Sequence, residues 1–309
     1  MKFLVLVFLV STFLPASGQV HKASNGFPVQ PTLFLDGFGG CEGIAFNGKG
    51  DMYVSGTKAL WRIATDASKV KIADLNSNLG VCAIDDEDLL VADFGDTNAF
   101  QNQKNNDGVV WRISPSGAKT EFIKGIGDPN FLLIRKDGKI LISDDVTNEI
   151  FLADREGKLQ IFCTAVNHPN GLALAVDESK LFVAQIFQNI RPVVPDNRVW
   201  SVPLKDGKPS RSAVLLCATG PNGANDGLAM DEIGRVYIAA NGEGKIWRFD
   251  PATEEMQLIC ENVFGAASIA FGEGKFDPES IYITTTTAAG KGGKIWQVKV
   301  GARGARLNR

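Results

Sequence analysis

The chain has 309 residues, a hydrophobic content of 44% and a formal net charge of -3. Because this charge is nearly balanced and no Lys/Arg cluster alternates with aromatic residues, nucleic acid is excluded as an expected partner. The length is ordinary for one β-propeller or β-barrel domain, and the apolar content is ample for its core.

The first 18 residues have the pattern of a secretory signal peptide. Lys2 precedes an apolar run from Phe3 to Val10, and Ala16-Ser17-Gly18 supplies the small residues of a cleavage site. The run is too short for a membrane span, which needs about 20 apolar residues. We therefore expect a secreted or exported protein, extracellular or periplasmic. Residues 19–309 should form one domain that has no membrane span and is a monomer.

The tryptophans mark an internal repeat. All five occupy the same position of a recurring apolar strand, and a sixth copy of that strand carries Phe151 instead. These positions are Trp61, Trp111, Trp200, Trp247 and Trp296. Around each copy, four short runs of β-branched and aromatic residues are separated by Asp/Gly/Lys turns, as in antiparallel strands.

Six such units, with a period near 40 residues, predict an all-β fold, a six-bladed β-propeller with four-stranded antiparallel blades. The last unit lacks an outer strand, whereas the segment Thr32–Leu35 precedes the first unit without a blade of its own. We predict that this N-terminal segment is the outer strand of the last blade and removes a free sheet edge.

The five cysteines are an odd number, so at least one thiol is free. Cys163, Cys217 and Cys260 lie on outer strands of different blades, too far apart to bridge. Cys41 and Cys82 lie on neighbouring inner strands and are the one pair to consider. We expect free, buried thiols even there.

The first positions of the six predicted inner strands converge on the channel axis. They are Glu42, Gly80, Asn130, Asn170, Asp226 and Ala267. Four of these side chains carry oxygen donors, and converging carboxylates repel each other unless they are protonated or bind a cation. Oxygen ligands without His or Cys favour a hard divalent ion, calcium before Zn²⁺, Mn²⁺ or Mg²⁺. The alternative is that each Asn or Asp merely ends a turn.

Several motifs around these positions carry a family resemblance. They are Glu42-Gly43-Ile44-Ala45, His168-Pro169-Asn170-Gly171-Leu172-Ala173, Asn225-Asp226-Gly227-Leu228-Ala229 and Gly244-Lys245-Ile246-Trp247-Arg248-Phe249-Asp250-Pro251. With them the chain resembles the senescence-marker-protein, gluconolactonase and luciferin-regenerating-enzyme family of six-bladed propeller hydrolases, over nearly all of its length. The resemblance implies a divalent metal on Glu42, Asn130, Asn170 and Asp226. It also implies hydrolysis of lactones or related esters, with a small molecule as substrate.

One departure from the family concerns specificity. Sugar-lactonase members resemble Arg-x-Asn-Asp-Gly around the second ligand, with the Arg contacting substrate. This chain has Asp128-Pro129-Asn130-Phe131-Leu132 instead. An acid replaces the Arg and apolar residues replace Asp-Gly, so the resemblance implies metal binding but not aldonolactone specificity.

The expected mechanism follows from the ion, which would stabilise charge developing on a substrate oxygen. Asp226 is the candidate general base or nucleophile, or else only a ligand. His168 either assists proton transfer or is a loop residue held against Pro169. Asp93 and Asp144, which follow the second strands of blades two and three, either orient the asparagines or form turns.

Two long loops, residues 94–107 and 185–197, should open on the same face and either shape the substrate pocket or act as a lid. Two other functions compete with a metal-dependent hydrolase. One is a non-catalytic propeller that binds a ligand or protein and uses calcium structurally. The other is a metal-free condensation like that of strictosidine synthase, which the intact Glu/Asn/Asn/Asp set disfavours. Metal-dependent turnover of a simple lactone separates the hydrolase from the binding propeller.

Overall fold

A computed structural model describes residues 26–95, 105–286, 290–306 and 308. Within these ranges the chain forms six antiparallel sheets, each with four main strands, and the first strands of the sheets pack around a common axis. This all-β architecture confirms the predicted six-bladed propeller. The predicted signal peptide lies outside the described residues. The described ranges contain no helix with the length and apolar character that a membrane span requires.

The chain enters the fold at β1 (Thr32–Leu35), which belongs to blade six. Each blade runs from an inner strand at the axis to an outer strand at the surface. Blade one consists of β2 (Cys41–Phe46), β3 (Met52–Gly56), β4 (Ala59–Ile63) and β5 (Lys69–Asp74). Blade two consists of β6 (Val81–Ala83), β7 (Leu89–Asp93), β8 (Gly108–Ile113) and β9 (Lys119–Ile126). Blade three consists of β10 (Pro129–Ile134), β11 (Ile140–Asp144), β12 (Ile150–Ala153) and β13 (Leu159–Cys163).

Blade four is the most elaborate. Its main strands are β14 (Pro169–Leu174), β15 (Lys180–Gln185), β18 (Arg198–Lys205) and β20 (Val214–Ala218). Three short strands lie between its main strands in the chain. β16 (Phe187–Ile190) and β17 (Val193–Pro195) form a separate two-stranded sheet, and β19 (Lys208–Pro209) pairs with β18. Blade five consists of β21 (Asn225–Met230), β22 (Val236–Ala240), β23 (Lys245–Asp250) and β24 (Glu255–Glu261). Blade six consists of β25 (Ala266–Phe271), β26 (Ser280–Thr285), β27 (Ile295–Lys299) and β1.

The hydrophobic core is divided among the blade interfaces. Six main clusters of buried apolar side chains each draw residues from two neighbouring blades, such as Leu90 with Ile142 and Tyr282 with Phe46. Alternating side chains of a strand point to opposite faces, so each blade contributes to the clusters on both sides. The strongly apolar strands of the repeat are therefore explained by burial on both faces.

Three of the five repeated tryptophans fasten the third strand to the end of the second, whereas Trp247 Nε1 is buried without a partner among the described residues. The indole N–H of Trp61 donates to Gly56 O at 2.7 Å, that of Trp111 to Asp93 Oδ2 at 3.1 Å and that of Trp200 to Gln185 Oε1 at 2.8 Å. A tryptophan supplies apolar area together with one N–H donor, which explains its recurrence at this partly buried position.

Both ends of the described chain are attached to the ring. Strand β1 pairs antiparallel with β27, with Thr32 opposite Gln297 and Leu33 opposite Trp296. The segment after β27 crosses the far end of the inner strands, where Ala305 N–H donates to Met230 O at 2.9 Å. Further along, Asn308 Nδ2 donates to Ile134 O at 3.1 Å. This segment therefore runs from blade five to blade three.

The inner strands share a bulge next to their second residue. The register of inner and second strand shifts at this level in five blades, within 41–44, 129–132, 169–172, 225–228 and 266–269. A bulge frees a backbone N–H from the ladder and re-aims the neighbouring side chains. Hydroxyl groups of the second strands accept some of these N–H groups: Ser55 Oγ from Gly43 at 2.9 Å and Ser143 Oγ from Phe131 at 3.0 Å.

Neighbouring inner strands approach each other backbone to backbone at this bulge. A Cβ atom added to Gly43 would overlap Leu79 O of the next blade and lie 2.7 Å from Val81 N. One added to Gly171 would overlap the carbonyl oxygen of Asp226. Glycine is thus required by close approach at these sites, and the strands stand as near the axis as their backbones allow.

Replacing Gly43 with alanine should destabilise the propeller, because the added Cβ meets backbone atoms that cannot rotate away. We expect the free energy of unfolding, measured by urea titration, to fall by about 1–3 kcal/mol. Gly39→Ala is the control, since its Cβ would meet no atom closer than 3.9 Å. Equal stability of the two variants would contradict the close approach at Gly43.

Candidate metal centre and active site

The inner-strand residues selected from the sequence share one level of the channel. Glu42, Asn130, Asn170, Asp226 and Ala267 are the second residues of their strands, not the first, and Gly80 stands just before β6. Each of the five lies in the shared bulge, so the backbone presents them in the same way. The ring closes between blades six and one, where the Thr284 hydroxyl donates to the Glu42 carbonyl oxygen.

The side chains of three of these residues meet at the mouth of the channel. Asn130 Nδ2 lies 3.4 Å from Glu42 Oε1 and 3.1 Å from Asp145 Oδ2. Glu42 and Asp145 both experience the charge of Asp226. Asn130, Asp145 and Asp226 are each 4% exposed, whereas Glu42 is half-buried. The cluster is therefore open to solvent on the Glu42 side.

Asn170 is the most unusual member of the set. It is 1% exposed, and neither Nδ2 nor Oδ1 has a hydrogen-bond partner among the residues that the structure describes. Leaving a buried polar group unpaired costs about 1–3 kcal/mol. Asp145 Oδ1 is likewise buried and has no hydrogen-bond partner among the described residues. Orphaned oxygens beside carboxylates are the donors that a cation would satisfy.

The environment raises the pKa of all three carboxyl groups. Burial raises the pKa of Asp226 to about 7, against hydrogen bonds from Asn241 and the Gly227 backbone. Burial, then the charges of Asp226 and Asp145, holds the pKa of Glu42 well above its ordinary value. For Asp145, burial raises the pKa first, and the neighbouring charges of Asp144, Asp128 and Asp226 add to it.

Sequence reasoning missed two residues of this cluster, Asp145 and Asn241. Asn241 Nδ2 donates to Asp226 Oδ2 at 3.0 Å, as Asn130 does to Asp145. Both missed residues come directly after the second strand of their blade, opposite the bulge. That position, one residue beyond each second strand, is the signal that could have found them.

Asp144 and Asp93 form turns. Asp144 Oδ1 accepts from the backbone N–H groups of Val146 and Thr147, both at 3.2 Å. Asp93 Oδ1 accepts from the backbone N–H of Gly95 at 3.2 Å, and the same carboxylate accepts from Trp111 Nε1 and from the Ser77 hydroxyl. Within the described residues neither carboxylate bonds to Asn130 or Asn170, so the contacts support the turn alternative.

Asp128 and His168 lie at the rim. Asp128 Oδ2 accepts from Asn105 Nδ2 at 3.0 Å, which brings the end of the predicted 94–107 loop to the mouth. Residues 96–104 of that loop lie outside the described part. His168 Nδ1 lies 3.0 Å from the Asp145 carbonyl oxygen, which can only accept, so the proton is on Nδ1.

The second predicted loop, residues 185–197, is partly ordered as the hairpin β16–β17. The Phe187 ring in this hairpin packs edge-on against the His168 ring, with centroids 6.2 Å apart. At its end, Asp196 O accepts from Asn225 N–H at 3.1 Å, next to Asp226. The hairpin is thus connected to the site at two points.

All five cysteines are unpaired. Four are buried and Cys82 is half-buried. Burial raises the pKa of both Cys41 and Cys82 to about 12, which keeps these thiols protonated at neutral pH. They therefore supply no thiolate ligand or nucleophile to the channel.

The donor set fits a hard divalent cation. Among the described residues, no group of three or more His, Cys, Asp or Glu side chains is arranged to hold a metal by itself. Half of the candidate donors are instead carboxamides, on Asn130 and Asn170. Oxygen donors that combine carboxylates with the orphaned Asn170 amide suit calcium best.

Comparison with known proteins identifies a similar family. Residues 143–287 match the family described as SMP-30/Gluconolactonase/LRE-like region. This part of the chain is similar to that family. The resemblance inferred from the motifs is therefore confirmed, and the SMP-30/Gluconolactonase/LRE-like region includes Asn170 and Asp226.

A gluconolactonase from Zymomonas mobilis is 28% identical over 160 residues, covering 45% of this chain and 43% of that protein. The chain spans about half the length of the curated relatives that it matches. Two solved structures share the fold. A gluconolactonase from Xanthomonas campestris has a TM-score of 0.68 at 17% identity, covering 86% of this chain and 88% of the other. The calcium-binding protein regucalcin from Agrobacterium tumefaciens has a TM-score of 0.65 at 18% identity, covering 90% and 99%.

The metal-free protein should become less stable between pH 5 and pH 8. The folded-state pKa of Asp226, about 7, lies above the ordinary aspartate value of 3.8. The folded state therefore binds this proton more tightly than the unfolded state does. The contribution of Asp226 to the free energy of unfolding is therefore complete below its unfolded-state pKa, and it is lost as the pH rises through about 7.

Melting temperatures in EDTA at pH 5, 6, 7 and 8 measure this loss. Asp226→Asn carries no titrating carboxyl group, so its melting temperature should fall less over the same interval. Parallel curves for the two proteins would show that Asp226 does not titrate in this range.

Proposed function

We propose that this protein is a divalent-metal-dependent hydrolase of lactones or related esters, with calcium as the ion. The observation that carries the proposal is the buried, unpartnered carboxamide of Asn170, at the same level as Glu42, Asn130 and Asp226. The gluconolactonase relative supports the reaction class, and the calcium-binding protein of the same fold supports the ion.

Glu42, Asn130, Asn170 and Asp226 would hold the ion through side-chain oxygens. When bound, the ion supplies positive charge that polarises a substrate carbonyl and favours ionised carboxylates. The half-buried Glu42 leaves one side of the cluster accessible, while the other three residues are closed off from bulk water.

Asp226 is the group we assign to proton transfer. Burial raises its pKa to about 7 in the metal-free protein, and a bound cation favours the ionised form that a general base requires. Asn241 Nδ2 holds Oδ2 of this carboxylate and fixes its orientation. Asp226 would take a proton from the attacking water and return it to the leaving alkoxide.

His168 is a further titratable side chain at the mouth. Its Nδ1–H is held by the Asp145 carbonyl, so Nε2 is the nitrogen that can exchange a proton with substrate or solvent. We assign it an auxiliary role, because its ring is also fixed by packing against Phe187.

The rim favours a substrate other than an aldonolactone. Asp128, bound by Asn105, replaces the arginine that sugar lactonases resembling this chain place before the second ligand. Without that guanidinium the site does not offer this contact to sugar hydroxyls, so we expect simple lactones or aryl esters. We also propose that the protein is exported, on the signal-peptide pattern of residues 1–18.

A panel of lactones and aryl esters should be hydrolysed with calcium and not with EDTA. Asp226→Asn should lower kcat at least about 100-fold, since general base catalysis contributes a factor of that size. Asp177→Asn makes the same chemical change at the far end of β14 and should retain full activity. Activity that survives EDTA and Asp226→Asn would contradict the proposal.

The binding alternative has a distinct result in the same experiment. Calcium would then raise the melting temperature although no substrate is turned over. Such a result would retain the metal site, replace the hydrolase by a calcium-stabilised binding propeller, and direct attention to the rim at Asn105 and Phe187.

A further inference from the structure

Asp145 is a buried carboxylate that the four-residue ligand set leaves without a function. It comes immediately after β11, and its Oδ2 accepts from Asn130 Nδ2 at 3.1 Å. Burying a charge beside Asp226 and Glu42 is unfavourable in itself. Its presence therefore calls for a role at the channel mouth.

The contacts of Asn130 show what that role is. Its Nδ2 faces two carboxylates, Asp145 Oδ2 and Glu42 Oε1. An amide oxygen in that position would be repelled by both, so the orientation of the carboxamide is fixed. Oδ1 of Asn130 is then the side-chain atom left for an electropositive ligand.

The other blades provide an internal comparison. The residue after the second strand is Asn241 in blade five, where it bonds to Asp226. In blade four the corresponding residue is Ile186, which offers no polar atom, and Asn170 remains unpartnered. Contact between this position and the channel residue thus depends on the side chain that each blade places there.

We propose that Asp145 is a positioning residue, which holds the carboxamide of Asn130 with Oδ1 directed to a bound divalent cation. This inference rests on the proposed metal site. It assigns Asp145 an action through Asn130, which agrees with the lack of a three-carboxylate metal group among the described residues. Partners that orient a ligand in this way typically contribute a factor of about 10–100 to metal affinity.

Calcium titration of the chelator-stripped full chain by calorimetry tests the proposal without measuring turnover. Asp145→Ala should weaken calcium binding about 10–100-fold. Asp145→Asn keeps an oxygen that can accept from Asn130 Nδ2, so it should keep most of the calcium affinity that Asp145→Ala loses. Asp144→Asn removes the adjacent charge without touching Asn130 and should bind calcium like the parent. Melting curves in EDTA establish that each variant is folded.

A double substitution separates positioning from bulk charge. In an Asn130→Ala background, Asp145→Ala should cause little further loss, because the residue through which it acts is gone. Equal affinity of the parent and Asp145→Ala would overturn this inference alone. So would a loss in Asp145→Asn as large as that in Asp145→Ala, since charge would then be responsible. No calcium binding by the parent would overturn the proposed metal site and this inference with it.

Discussion

The backbone-to-backbone approach of the inner strands around the channel is the constraint on which this structure depends. Gly43 and Gly171 admit the neighbouring blade so closely that no side chain fits between them. The bulge beside each glycine turns the preceding residue toward the axis. The polar ring is therefore a product of how six sheets close into a circle, and the hydroxyls of Ser55 and Ser143 hold that geometry.

This closure concentrates negative charge where solvation is poor. Burial raises the pKa of Glu42, Asp145 and Asp226, and the charge of Asp226 raises the pKa of the other two further. Asn170 is buried without a partner among the described residues. Such groups reduce the stability of the metal-free protein. Natural proteins keep destabilising groups where function requires them. Each blade interface has its own apolar cluster. Burial of these clusters offsets the unfavourable free energy of the site.

Most of the fold could be predicted because apolar residues define the repeat. Tryptophan at one strand position in five units, and Phe151 in the sixth, established blade number and register. The level of the channel residues followed from aligning those units. The hairpin β16–β17 was expected only as a loop, since its short strands have no regular alternation of apolar and polar residues.

The partners of the site were harder to predict than its inner-strand members. Asp144 and Asp145 are adjacent acids, and the sequence does not show which of them ends in a turn and which points to the axis. The answer depends on where β11 leaves the ladder, at the pairing of Pro129 with Asp144. Asn241 was missed for the same reason, because the end of β22 determines its direction.

The fastening of blade six has a mechanical consequence. Strands β1 and β27 are antiparallel, with Thr32 near Gln297 and Leu35 near Ile295. Tension applied through residues 32 and 308 would, once it reaches β27, load this pair at one end, so its hydrogen bonds would break one after another instead of sharing the load. The anchors of the tail at Met230 and Ile134 must be released before that tension reaches β27. The tail anchors at the far end of the channel thus resist such tension first, and the β1–β27 pair resists it only afterwards.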